Sequence, residues 1–537
     1  MIKILKTVGL SCAVLLLAAN CIKEVEPQNN LVSGGQIEQD PAAFSKLVKG
    51  IFTPMIANYI VMSEWPWDFA YPSLMLERDF MGQDYVAADN FWQIWYTVHT
   101  ALGAEYAGCQ LPWSFYYQLI NNCNTIIGMV PDYASASTPQ RHGAGLAYAM
   151  RAFAYMDLAR MYQYTYKGNE DKPTVPIVTE HTTDVQKANN PRATNEAIWK
   201  FILEDLDKAE ACLADYRRSV KTEPDINVVY GLKARAFLTI EEFPSAEKYA
   251  ALAQEGYTPM TRQEWLDKTS GFNNLACNAW LWGMQQSNDD PIIKNYGGLY
   301  SWIGSFCVEQ SFGYAGMDGG SFPMIDAHLY STIPDTDFRK QAFLAPEDAG
   351  SPEDVAKYTD YRPASALAFS LDELPAYTSF KFRPGNKGYT DYTTGCAVGI
   401  PLMRVEEMML IEAEAIGMQP GREAEGKQKL EAFAALRDPS YTMPALTSFR
   451  DNVWWQRRVE LWGEGFATFD IKRLNKGIIR SYAGTNHLKS YRFNTDGVPQ
   501  WMNYVIVGTE FDNNLGLGAN NPTPTPPAGG DSPEYEF

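Results

Sequence analysis

Apolar residues recur at helical spacing over most of this chain, most densely from Ala144 to Tyr162. There Ala147, Met150, Ala154, Leu158 and Met161 fall on one stripe, with further alanines between them and no proline to interrupt the pattern. Alanine favours the helix and lets a neighbour approach closely, so this stretch reads as a helix packed on others. The same spacing predicts more helices. Phe44, Leu47, Ile51 and Met55 mark one within 41–60, Ser73–Phe80 is a short one, and Trp113–Ile127 is longer. Ile198, Ile202, Leu206, Ala209 and Leu213 make a clean stripe behind Thr194 as N-cap. Val228–Ile240 supplies its partner, a stretch capped by Ser245 follows, and Leu402–Gly417 carries the stripe Val405, Met409, Ala413, Ile416. Only Ala279-Trp-Leu-Trp-Gly283 has the look of a short buried strand. Residues 81–112, 286–323 and 345–395 lack a period and read as irregular.

The two ends differ from this body. Lys3 and Lys6 precede an apolar run from Val8 to Ala19, too short to span a bilayer, and Asn20-Cys21 follows; the pattern predicts a signal peptide over 1–20. Residues 21–40 are polar and rich in breakers, a linker. The tail 518–537, with Asn-Asn-Pro-Thr-Pro-Thr-Pro-Pro, is predicted to be disordered. The formal charge of −19 argues against nucleic acid, whose phosphates would be repelled, and is compatible with neutral ligands. Cys109, Cys123, Cys212, Cys277, Cys307 and Cys396 show no metal spacing and are expected as buried thiols, with a Cys277–Cys307 disulfide as the alternative.

Several strings carry a resemblance. Arg151-Ala-Phe-Ala-Tyr-Met-Asp-Leu leads through a loop to Val175-Pro-Ile-Val; Trp113-Ser-Phe-Tyr-Tyr-Gln-Leu-Ile precedes it. Asp335-Thr-Asp-Phe-Arg339, Arg404-Val-Glu-Glu-Met-Met-Leu-Ile-Glu-Ala-Glu-Ala and Gln456-Arg-Arg-Val-Glu-Leu-Trp-Gly-Glu-Gly-Phe-Ala-Thr-Phe-Asp-Ile-Lys-Arg473 follow in order. Together they resemble the SusD/RagB family, with Gln456 standing where that pattern has Glu and Ala467 where it has Arg. The resemblance implies a mainly α, SusD-like fold: tetratricopeptide-type helical repeats over 41–265, each of ~34 residues, supporting a loop-rich half over 266–517. It implies a surface lipoprotein of Bacteroidetes-type bacteria that captures oligosaccharide, or in some members peptide, for a SusC-like TonB-dependent outer-membrane transporter. Leu17-Ala-Ala-Asn-Cys21 resembles a lipobox, which makes Cys21 the expected lipidated residue and the outer membrane the expected location.

No set of residues suggests catalysis, a cofactor or a metal. Glu460 and Glu464 stand four apart on a predicted helix, but arginine or lysine lies within a turn of each, which holds a carboxylate ionised. A glycoside hydrolase needs one of its acids protonated and both flanking the substrate. The five histidines are scattered, and Asp289-Asp290 has no calcium-loop spacing. What remains is aromatic excess in two long loops. Trp or Tyr planes stack on the C–H face of a sugar ring while amide and charged groups bond its hydroxyls. Trp92 and Trp95 stand in the first loop near Asp89 and Asn90; Tyr296, Tyr300, Trp302 and Tyr314 stand in the second near Lys294, Asn295 and Asp318. These six aromatics are the candidate glycan-binding residues.

Overall fold

The computed structural model describes residues 40–57, 68–87, 103–296, 301–306, 322–359, 373–444, 448–523 and 532–537. The chain clusters into two units, 1–47 and 48–537; the described part of the first, 40–47, is Asp40 and the start of a helix, Pro41–Lys49. In the second, the principal helices are α1 (Tyr71–Phe80), α2 (Ala107–Met129), α3 (Thr138–Tyr162), α4 (Asn195–Leu213), α5 (Ile226–Thr239), α6 (Phe243–Ala253), α7 (Val405–Gly417), α8 (Glu423–Ala435), α9 (Phe449–Glu460) and α10 (Ala467–Arg473). From α2 to α8 each packs on the next in chain order, so α6 meets α7 although some 150 residues separate them. That succession is what stacked helical repeats produce. No helix among the described residues is long and apolar enough to cross a membrane.

Helix α3 is buried on every side rather than along one stripe, from Gly143 to Ala159 without a break. Its small residues make that possible. A Cβ on Gly145 would lie 2.6 Å from the Cβ of Cys212 and 2.8 Å from Leu213, so glycine is what lets α3 and α4 meet there. Its two buried charges are neutralised on site. Arg151 pairs with Asp205 of α4 at 2.7 Å and with Glu180 at 2.6 Å. Asp157 accepts from Tyr71, Tyr116 and Arg78 at 2.9, 2.8 and 3.2 Å.

Strands are few and come in antiparallel pairs: β1 (Tyr85–Ala87), β2 (Pro173–Pro176), β3 (Arg192–Thr194), β4 (Trp280–Gln285), β5 (Pro323–Ile325) and β6 (Gly399–Arg404), joined as β1–β5, β2–β3 and β4–β6. The expected strand at 279–283 is β4, shifted by one residue at its start. The expected helix at Leu402 begins three residues later instead, because Leu402–Arg404 are the end of β6 and Trp280 pairs with Arg404.

Capping decided other boundaries. Thr194 caps α4 as expected, accepting from the Ala197 N–H at 3.1 Å. Ser245 does not cap α6, which starts at Phe243 with Pro244 in its first turn, where a missing N–H costs nothing. The five cysteines among the described residues are free thiols, Cys277 partly exposed and the others buried; Cys307 lies outside them. The last six residues, 532–537, are among those described. Tyr535 bridges to Tyr482, its N–H donating to the Ser481 carbonyl at 2.9 Å, and the Phe537 ring stacks on His328.

Candidate functional site

The two aromatic loops share a root. β1, Tyr85–Ala87, lies within the first irregular stretch, 81–112, and β5 starts at Pro323, the last residue of the second, 286–323. The register sets Tyr85 opposite Ile325, Val86 opposite Met324 and Ala87 opposite Pro323. Residues more than two hundred positions apart in sequence therefore leave and enter the body side by side. Behind this hairpin-like pair, Tyr85 stacks on Trp462 with centroids 4.9 Å apart, and the Trp462 ring N–H donates to the Asp84 carbonyl at 2.8 Å. Backbone bonds continue the sheet sideways, from the Ile325 N–H to the Tyr377 carbonyl at 3.1 Å.

Of the six candidate aromatics, Trp92, Trp95, Tyr300 and Tyr314 lie outside the described residues, as does the side chain of Tyr296, which ends a short helix at Pro291–Tyr296. Trp302 is a correction. It opens the helix Trp302–Phe306 and is 0% exposed, packed on Phe306 and Phe382 with centroids 4.3 and 5.3 Å away. A large indole next to two phenyl rings gains more from burial than from standing in water, so no face is left for a sugar. Nearby, Lys294 pairs with Asp289 at 2.8 Å, and Asp290 accepts from the Ser287 N–H at 2.7 Å. Those two acids are thus occupied by local contacts, and no group of three His, Cys, Asp or Glu among the described residues is placed to hold a metal.

The charge constellation that might have been catalytic is a buried lattice. Helix α9 ends at Glu460, and Gly463 and Gly465, with φ of 76° and 81°, turn the chain so that Glu464 lies off the helix rather than one turn along it. Both acids nevertheless converge on Arg404, Glu460 at 3.1 Å and Glu464 at 2.8 Å. Glu460 also meets Arg339 at 3.1 Å and Arg437 at 3.0 Å, and Lys381 meets Glu464 at 2.7 Å. Burial alone would push the Glu460 carboxyl up; Arg437, Arg404 and Arg339 outweigh it and hold the group well below its ordinary value. A carboxyl so held cannot donate a proton to a leaving group. Gln456, in the place of Glu, still accepts from Arg339 at 2.8 Å. Arg339 itself is fixed by Asp337 at 2.7 Å, which accounts for the Asp-x-Arg turn.

The strings that carry the resemblance therefore map onto pairs that hold the body together: Arg151 with Asp205, Arg404 with Glu464, Glu407 with Arg235 at 2.6 Å, and Glu414 with Arg473. Comparison with known proteins agrees with this geometry. Residues 42–238 match a SusD-like family model described as "Starch-binding associating with outer membrane". A SusD-like carbohydrate binding protein from Bacteroides vulgatus superposes with a TM-score of 0.69 over 89% of this chain and 97% of its own, at 22% identity. The fold is SusD-like. Surface glycan-binding protein A from Bacteroides thetaiotaomicron, solved in complex with laminarihexaose, shares the SusD-like fold with a TM-score of 0.62, over 89% of this chain and 99% of its own, at 16% identity. SusD-like protein P38 from Formosa agariphila is 24% identical over 442 residues, 75% of this chain and 79% of that one. At these identities the likeness to the solved structures is one of fold.

Proposed function

We propose that this SusD-like protein captures oligosaccharide at the cell surface and passes it to a SusC-like TonB-dependent transporter, held in the outer membrane by lipid on Cys21 after residues 1–20 are removed. The observation that carries the reading is the register of β1 against β5, with Ala87 opposite Pro323, because it gives both aromatic loops a common base. The ligands printed for the structural relatives, carbohydrate and laminarihexaose, support the same class. The proposed contacts are Trp92, Trp95, Tyr296, Tyr300 and Tyr314, stacking on sugar rings. Trp302 is not among them. Binding is the whole of the proposed activity, since the Glu460 carboxyl is held ionised by Arg437, Arg404 and Arg339.

The test is titration of the protein with laminarihexaose and with a starch-derived hexasaccharide, alongside Trp92→Ala and Tyr300→Ala. Loss of affinity by roughly tenfold in either variant, with unchanged melting temperature, is the expected result. Unchanged affinity in both removes the site assignment. Shortened products on incubation with the polysaccharides would overturn the non-catalytic reading.

A further inference from the structure

A cleft of about 410 Å³ lies between α2, the stretch 176–190 and the helix Gly508–Asn513, built entirely from residues outside the two aromatic loops. That volume falls within the ~300–1,000 Å³ of small-ligand sites. Its floor is aromatic and aliphatic. Trp113, Tyr117 and Ile120 lie one above the other on α2, Trp113 and Tyr117 with ring centroids 4.7 Å apart; Trp113 and Ile120 are buried, and the half-buried Tyr117 is the ring open to the cleft, with Val178 beside it in the lining. Its rim carries the amides of Asn121, Asn190 and Asn513 together with Asp184 and Lys187, while Asn514 is buried in the wall.

The walls are fastened to each other before any ligand arrives. Asn514 accepts from the Asn190 N–H at 2.8 Å and donates back to its carbonyl at 2.9 Å, and the Leu515 N–H donates to the Ala188 carbonyl at 2.9 Å. The Tyr117 hydroxyl donates to the Pro176 carbonyl at 2.6 Å. The charges at the cleft are already engaged. Glu510 accepts from the Trp113 ring N–H at 3.4 Å and from the Asn514 amide at 3.2 Å, while Asp184 pairs with Lys187 at 3.1 Å. What faces outward is the exposed carboxamides of Asn121 and Asn513 and the Asp184–Lys187 pair, whose opposite charges offset each other. A rigid cleft with a ring in its wall and a hydrogen-bonding rim whose exposed charges are already paired suits an uncharged, hydroxyl-rich ring better than a free ion. The two larger cavities lack this combination. One, of about 530 Å³, is mainly apolar, and in the other, of about 550 Å³, Arg218 already pairs with Asp225.

We propose that this cleft is a second saccharide-binding site, taking one or two sugar units of a neutral glycan, a proposal that rests on the reading of the protein as a glycan binder. The experiment is calorimetric titration with laminarihexaose and a starch-derived hexasaccharide of four proteins: wild type, Trp92→Ala, Ala188→Trp, and Asn121→Ala/Asn513→Ala. Ala188 is exposed at the cleft mouth, so tryptophan there plugs it without entering the core. The expected outcome is two classes of site. Ala188→Trp weakens one by roughly tenfold and the asparagine variant weakens the same one severalfold, both with unchanged melting temperature, while Trp92→Ala weakens the other. If Trp92→Ala abolishes all binding and the cleft variants none, the second site falls and the proposed function stands. If the cleft variants alone remove binding, the second site stands and the loop assignment falls. Binding of a peptide library, rather than sugar, that Ala188→Trp blocks would also overturn the saccharide proposal.

Discussion

Around Glu460 and along the outer face of α2, the chain places polar groups next to aromatic rings, with opposite results. Near Glu460 the rings of Trp265, Phe272 and Phe338 close over Arg404, Arg437 and Lys381, and every charge is dry and paired. Along α2 the half-buried Tyr117 ring lines an open cleft, and the polar groups beside it, the Asn121 and Asn513 amides and the Asp184–Lys187 pair, reach water. Desolvation separates the two. A charge removed from water demands a fixed partner, so the lattice has no freedom left for a ligand. An amide at a wet rim keeps its donors and acceptors free to exchange water for hydroxyls.

Four substitutions probe that contrast. The largest effect is expected from Glu460→Ala, which removes the carboxylate that Arg339, Arg404 and Arg437 share in the core and leaves the three cations to Asp337, Glu464 and Glu406. Denaturant unfolding is expected to show a loss of about 3–5 kcal/mol; a near-neutral result would mean that the lattice tolerates solvent and is not dry. Trp302→Ala follows, with a cavity beside Phe306 and Phe382 costing about 3 kcal/mol and glycan affinity unchanged where the protein is folded. Weaker glycan binding at full stability would put Trp302 back in the site.

The third prediction concerns pH. Burial pushes the Glu77 carboxyl up to about 8 from an ordinary 4.5, with the Tyr504 hydroxyl bond at 2.7 Å only partly opposing it. The folded protein therefore keeps a proton that the unfolded chain releases. The resulting stability is full below about 4.5 and is lost as pH rises towards about 8. Glu460 has the opposite sign: its contribution is present above the ordinary carboxylate range and is lost as pH falls through its depressed value. Glu77→Gln keeps the Tyr504 bond and removes the titration. It is expected to flatten the slope of stability between those pH values, with a gain on the order of 2 kcal/mol at pH 8; an unchanged slope would show that Glu77 is ionised in the fold. The smallest effect is expected on the cleft side. Asn514→Ala removes two bonds to Asn190 and one to Glu510, costing about 1 kcal/mol in thermal unfolding while weakening the cleft's grip on sugar more than its fold. Full stability loss with no change in sugar binding would count the cleft among the structural regions.

The helices were legible because their information is local. The stripe from Ala147 to Met161 and the cap at Thr194 follow from backbone geometry within a few residues. The charged strings were legible as a family resemblance, and the structure turns them into pairs such as Arg151 with Asp205. The position of Glu464 was not legible, since positive-φ glycines on either side of it, Gly463 and Gly465, turn the chain there.

What the sequence determined by itself is the mainly helical body, its order of elements and the absence of a catalytic acid pair, all consequences of spacing and of neighbouring charge. Only the tertiary structure decided that Trp302 is core, that Ala87 stands opposite Pro323, and that Asn121, Asn190 and Asn513 meet around Trp113 and Tyr117. Burial and convergence depend on contacts between residues hundreds of positions apart, and no local pattern of hydrophobic and polar residues encodes that the Trp302 ring turns inward.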